Sequence, residues 1–189
     1  MAMGSSSSLR GTVLLVAAAV VLASAPVSPG GGGVDTVAES CNAIRDFVEV
    51  AFCEAALRSS GPGAATADRH GHLLIAADLA AARGDSARDD AVAAAAAARA
   101  SGGGERDGLE ACGILYGSSV AAVRLMRGYA AARSWEAARS LLWLSGQAGM
   151  GCAAALDSPA PGMDRANEDF SRLTTMATAL LNSVAATSG

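Results

Sequence analysis

The sequence predicts an all-α protein, and three observations carry that prediction. Apolar residues make up 51% of the chain but aromatics only 4%, so most of the apolar content is alanine, the strongest helix former and one that buries little area per side chain. Several long stretches repeat apolar residues at the i, i+3, i+4, i+7 spacing of one helix face. After residue 25 there are no β-branched and aromatic runs bounded by turn residues, so no sheet is expected. The expected architecture is an antiparallel four-helix bundle over residues 66–187, preceded by a helical hairpin over 34–60.

The first 25 residues have the three parts of a signal peptide in order: Arg10 as the positive charge, an apolar run from Thr12 to Ala23, and Ala23-Ser24-Ala25 as a small-residue cleavage site. The apolar run is shorter than the ~18 residues that a membrane span needs. The C-terminus ends polar at Ala186-Thr187-Ser188-Gly189, without the hydrophobic tail of a lipid-anchor signal. A secreted protein that leaves the membrane after cleavage is therefore expected. Residues 26–33 are rich in Pro, Gly and Ser, have no side chains to offset the entropy of ordering them, and read as a flexible leader.

The folded domain is expected from Val34 to Gly189. Within the hairpin, Cys41, Ile44, Phe47/Val48, Phe52 and Leu57 are spaced for a helix. A continuous helix would hold Cys41 and Cys53 ~18 Å apart, far beyond disulfide reach, so pairing those two requires a break near Phe47. Gly61-Pro62-Gly63 is a loop, and Thr66 or Asp68 caps a long helix to about Ala100. The interior of that helix is so rich in alanine that periodicity cannot tell inside from outside, and Gly84 is a candidate kink. Ser101 to Gly108 is a linker with three consecutive glycines. From Leu109 to Ala132 the stripe Leu109, Cys112, Tyr116, Ser119/Val120, Val123, Met126, Ala130 marks a second helix. Ser134 resembles the N-cap of a third, with Trp135, Ala138, Leu141/Leu142 and Ser145 leading to Cys152. Pro159 and Pro161 are expected to break the chain before a last helix from about Arg165 to Ala185, with Phe170, Leu173, Ala177, Leu180/Leu181 and Val184 on one face.

All fourteen basic residues are arginine. Loss of Arg10 with the signal peptide would leave thirteen against eighteen acidic residues, a net charge of −5. A mildly acidic chain without a basic cluster does not suit nucleic acid or an anionic membrane; it suits a basic partner. Cys41, Cys53, Cys112 and Cys152 all fall in the mature chain, and an even count in a secreted protein implies disulfides. Metal ligation, the alternative, would need closer pairs or helping histidines, whereas His70 and His72 sit apart from all four. Two residues apart on a helix, those histidines point in different directions, so helix-surface or hairpin packing is the expected role. No Gly-x-Ser-x-Gly elbow, His-Glu-x-x-His, phosphate loop or recognisable carboxylate pair occurs. No catalytic residue and no cofactor is assigned. Asp89-Asp90 and Glu105-Arg106-Asp107 read as solvated helix ends, and Trp135, Tyr116 and Tyr129 as core or rim.

Four segments together resemble the plant invertase and pectin methylesterase inhibitor family, over nearly the whole mature chain. They are Ala67-Asp68 to Ala80, the Cys112-Gly113-Ile114-Leu115-Tyr116 segment followed by Ser119-Val120-Ala121, Trp143-Leu144-Ser145 leading to Cys152, and Phe170-Ser171-Arg172-Leu173 with Ala177 to Leu181. The second is similar to the family's Cys-x-x-x-Tyr segment. The resemblance implies a hairpin held by Cys41 with Cys53 and a bundle held by Cys112 with Cys152. It also implies that the protein inhibits pectin methylesterase or acid invertase in the cell wall, or in the vacuole where the target is vacuolar invertase. Two departures stand out: the first cysteine pair is about one helical turn wider than usual, and Gly146-Gln147-Ala148-Gly149-Met150-Gly151 replaces a more helix-favouring run. Plant pectin methylesterases often carry such a domain ahead of a longer catalytic domain. Here the chain stops after the bundle, so a free-standing inhibitor is expected rather than an enzyme. Family members that inhibit invertase often present a Pro-Lys-Phe segment, and this chain has no lysine. Plant pectin methylesterases are commonly basic, which an acidic inhibitor complements. Pectin methylesterase is therefore the expected target, with invertase or a non-inhibitory binding role as alternatives.

Overall fold

The computed structural model describes residues 35–156 and 160–187. The signal peptide over 1–25, the leader over 26–33 and Pro159 lie outside them. Every regular element among the described residues is a helix, with no strand among them. Helix α1 (Thr36–Asn42) begins at Asp35, whose side chain accepts from the Ala38 N–H at 3.2 Å. The chain then turns through residues 43–48 and re-enters helix as α2 (Val50–Ser59). This break brings the two cysteines together: Cys41 and Cys53 form a disulfide with Cα atoms 5.6 Å apart. Val37, Ile44, Val48 and Leu57 are buried around it.

After a 3-10 turn over Pro62–Thr66, helix α3 runs for 33 residues from Arg69 to Ser101, ~50 Å at 1.5 Å per residue. Asp68 caps its start, accepting from the Gly71 N–H at 2.8 Å, and Gly102 at φ +70° closes its end in the left-handed conformation. Its buried stripe is Leu73, Ala76/Ala77, Ala80/Ala81, Gly84, Ala87, Ala91 and Ala95. That is a regular helix face written almost entirely in alanine. Gly84 does not interrupt it. A Cβ there would lie 2.4 Å from Val120 Cγ2 and 2.7 Å from Phe170 Cε2, so the glycine allows close packing of α4 and α8 against α3.

Helix α4 (Arg106–Ala131) follows the predicted stripe, with Leu109, Cys112, Tyr116, Ser119, Val120, Val123, Met126 and Ala130 all buried. The single third helix expected from Ser134 to Cys152 is instead three short ones: α5 (Trp135–Arg139), α6 (Leu142–Ser145) and α7 (Gln147–Ala155). Ser134 makes no side-chain capping bond. The Ser140 and Ser145 hydroxyls donate to the Ala137 and Leu142 carbonyls three residues back, competing locally with the helix ladder. Gly146 sits at the α6–α7 junction, where glycine costs ~1 kcal/mol relative to alanine in a helix. The remaining glycines permit contact: a Cβ on Gly149 would lie 2.5 Å from Ser171 Oγ, and one on Gly151 3.0 Å from Leu115 Cδ1. Helix α8 runs from Pro161 to Thr187. Pro161 thus opens the helix instead of breaking the chain ahead of it, since the first helical turn has no use for the missing N–H.

Helix α3 packs along both α4 and α8; α4 also packs against α5, α6 and α7, and α7 against α8. The α1–α2 hairpin rests on α3 and on the 3-10 turn. A second disulfide, Cys112–Cys152, ties α4 to α7 with Cα atoms 4.5 Å apart. The pairing of all four cysteines is the one that the family resemblance implies.

Candidate functional site

His72 is fully buried, as is Ser40 on α1. Its Nε2 lies 2.8 Å from the Ala64 carbonyl and its Nδ1 2.8 Å from Ser40 Oγ. A carbonyl only accepts, so in the neutral ring Nε2 carries the proton and Nδ1 accepts from the Ser40 hydroxyl. A serine beside a histidine has the outline of a nucleophile and its base. Here the pair is sealed from solvent, and the second nitrogen holds a backbone carbonyl rather than a carboxylate. The arrangement pins the hairpin and the 3-10 turn onto the start of α3, which is the packing role expected for this histidine. His70 faces elsewhere. Its Nε2 donates to the Ala130 carbonyl at 2.9 Å and its ring meets Trp135 edge-on at 5.6 Å, joining the start of α3 to the end of α4 and to α5.

Tyr116 is the largest fully buried side chain. Its ring packs edge-on against Phe170 at 5.2 Å, and its hydroxyl donates to Asn167 Oδ1 at 2.6 Å. Burial pushes the Tyr116 hydroxyl up to about 12, with the positive charge of Arg83 pulling slightly the other way. Sequence reasoning placed Tyr116 correctly but missed Asn167. The available signal was a polar residue one turn before Phe170, at a position of α8 facing the core, where a buried tyrosine needs an acceptor.

Several charged side chains hold helices to one another. Across the α3–α4 seam, Arg127 binds Asp78 at 2.7 and 3.0 Å, Arg124 binds Asp85, and Arg99 binds Glu110 at 2.6 Å. Arg83 joins α3 to Asp169 of α8 at 2.7 Å. At the hairpin, Arg172 lies 4.0 Å over the Phe52 ring and 3.1 Å from Glu49. Arg58 reaches Asp35 at 2.9 Å and Glu54 at 3.2 Å. The Arg58 guanidinium, with help from the Ala38 N–H, holds the Asp35 carboxyl below the usual carboxylate range, and Asp35 and then Glu54 raise Arg58. Asp89 is exposed beside Arg88, which it raises in turn. Glu105 and Asp107 stand at the N-terminal end of α4, where negative charge suits the helix dipole. Both acidic spots are solvated helix surface. Among the described residues no three His, Cys, Asp or Glu side chains stand together in a group that could hold a metal ion.

The remaining features are at the surface. Tyr129 is 44% exposed at the end of α4, and Trp143 is 75% exposed on α6. A cleft of about 480 Å³ runs between α3 and α4, lined by Arg88, Val92, Ala95, Ala96, Gly113 and Ile114 among others. Compared with known proteins, the chain matches no family model and no curated sequence.

Proposed function

We propose that the protein is a secreted inhibitor of the plant invertase and pectin methylesterase inhibitor type, and that it acts by stoichiometric binding to pectin methylesterase. In this reading α3, α4, the broken run α5–α7 and α8 are the four legs of an antiparallel bundle, and α1–α2 is the hairpin ahead of it. The observation that carries the reading is the disulfide framework: one bridge closes the hairpin, Cys41–Cys53, and the other joins two helical legs, Cys112–Cys152. Both are what the four family-like segments imply. Two disulfides in so short a chain also favour an oxidising compartment, consistent with export to the cell wall. The buried state of the Ser40–His72 contact gives no support to hydrolysis by the chain itself.

The mechanism is occlusion. A rigid helical surface burying ~1,600 Å² in total would close the mouth of an active-site cleft without any bond being made or broken. An acidic chain meeting a basic enzyme gains chiefly in association rate, so raising salt should slow association more than it speeds dissociation. The test is titration of the purified secreted protein against pectin methylesterase and against acid invertase. Inhibition of pectin methylesterase with a one-to-one end point is expected. Inhibition of invertase alone would reverse the choice of target. Inhibition of neither by a folded sample would leave a bundle that binds another partner.

A further inference from the structure

The outward face of α4 carries more apolar surface than the core uses. The helix is long and apolar enough, by composition, to pass for a membrane span, yet less than half of its most apolar window is buried. Ile114 is 74% exposed and Leu125 57%, and between them Ser118 and Ala121 are exposed and small. The four positions follow a 4-3-4 spacing, the seam of a helix pair. They are also symmetric about a point between Ser119 and Val120. A second α4 laid antiparallel across the first sets Ile114 against Leu125, Ser118 against Ala121, and the same in reverse.

We propose that this face pairs with the same face of a second copy of the chain, making a two-fold homodimer. An isologous contact requires a patch that complements itself, and the flanks of α4 meet that requirement as well as its centre. Val92 of α3 stands beside Gly113, its Cγ2 3.3 Å from where a glycine Cβ would be. It helps to line the cleft next to Ile114, which is where Leu125 of the second copy arrives. Arg88 lies beside Gly117, and Asp85 pairs with Arg124, so both stand level with the symmetry point. Arg88 already pairs with Asp85 of its own chain at 3.4 Å; the two-fold sets that pair beside its copy, Arg88 of each toward Asp85 of the other, a pattern of mixed sign that neither a purely basic nor a purely acidic partner would match.

Area points the same way. On the opposite flank, Ser119 Oγ donates to the Leu144 carbonyl at 2.9 Å, which seats α6 against the middle of α4, and Gly151 seats α7 against Leu115. Val92, Ile114, Leu125, Trp143, Leu144 and Met150 are each more than half exposed. Pooled over the seam and its flanks, these open side chains amount to an area of the order of the ~800 Å² per partner that a standard interface buries.

Sedimentation of the purified protein with its disulfides intact tests this directly. A monomer–dimer equilibrium is expected, with the dimer dominant at ~100 µM, in the affinity range of a modest interface. Leu125→Glu and Ile114→Glu should each weaken it at least about tenfold with helix content unchanged, because each would bury a carboxylate in the seam. Phe47→Glu, on the hairpin and equally exposed, should not. Register is read by a short bismaleimide: two copies of Ser118→Cys stand ~4.5 Å apart along the axis and should link, whereas two copies of Tyr129→Cys are ~28 Å apart and should not. A monomer at ~100 µM would overturn the proposal. So would a dimer indifferent to both glutamates, linkage through Tyr129→Cys, or binding of the monomer to lipid vesicles through this face instead.

Discussion

Replacing Gly84 by alanine adds one methyl group at the place where α3, α4 and α8 meet. At an exposed helical position the same change stabilises by ~0.8–1.0 kcal/mol, because alanine loses less entropy on entering a helix. At Gly84 the new carbon would fall 2.4 Å from Val120 Cγ2 and 2.7 Å from Phe170 Cε2, against a comfortable separation of ~3.5–4.0 Å. Val120 is β-branched and stiff, and the Phe170 ring is held by Tyr116. Neither gives way cheaply. Overpacking of this kind costs ~1–3 kcal/mol, so a net loss of ~1 kcal/mol or somewhat more is expected once the propensity gain is subtracted. For a chain of this size that lowers the melting temperature by a few degrees, at ~2–4 °C per kcal/mol. Gly128 supplies the control, since it is helical and exposed and a Cβ there would meet nothing within 4 Å. Gly128→Ala should raise stability. Urea and thermal melts followed by circular dichroism at 222 nm compare the two, and if Gly84→Ala proved as stabilising as Gly128→Ala, the close-packing account of the α3 glycine would be wrong.

Two further outcomes follow from features of the core. In the chain-entropy model the Cys112–Cys152 bridge, at a separation of 40 residues, contributes ~4 kcal/mol and the Cys41–Cys53 bridge, at 12, ~3 kcal/mol. The double alanine variant at 112 and 152 should therefore lose more stability in urea than the one at 41 and 53; the reverse order would show that the hairpin, not the α4–α7 contact, limits the fold. Tyr116 titrates only near 12 in the folded protein, against about 10 when unfolded. Since the folded state holds that proton more tightly, stability is unaffected below pH ~10 and is lost as pH rises from ~10 to ~12, by roughly 2–3 kcal/mol in all. Ultraviolet titration of tyrosinate in a Tyr129→Phe background isolates Tyr116. Half-ionisation near pH ~10, with the fold intact, would contradict its burial.

How legible the sequence was depended on side-chain size. The α4 stripe could be read because Leu109, Tyr116, Val123 and Met126 differ from what surrounds them, and the break near Phe47 could be read as a condition because two cysteines needed to meet. The buried face of α3 could not. With alanine at both Ala80 and Ala82, of which only the first is buried, periodicity has no contrast to work on. The breaks between α5, α6 and α7 were hidden for another reason: the apolar pattern runs through them, and the serines and glycine at the junctions are types that unbroken α4 also carries, Ser118 back-bonding to the Leu115 carbonyl among them. His72 was legible as packing, but its partners Ser40 and Ala64 lie 32 and 8 residues away, and no local pattern names them.

The alanine face of α3 also fixes how the protein can tolerate change over time. Most helical cores are vulnerable to truncation, because a large side chain cut short leaves a cavity. Along α3 there is little left to truncate, and the harm runs in the opposite direction. A single base change converts an alanine codon to one for valine, threonine or serine, and at Ala76, Ala80, Ala87 or Ala91, each fully buried, the first two push extra atoms into a space already closed by α4 and α8. A segment that looks like low-complexity filler should thus tolerate little added volume on its buried face. Sequence drift should accumulate instead at the exposed alanines interleaved with it, such as Ala93, Ala96 and Ala97, so that in an alignment of relatives the core face of α3 would stand out as the alanines that do not vary.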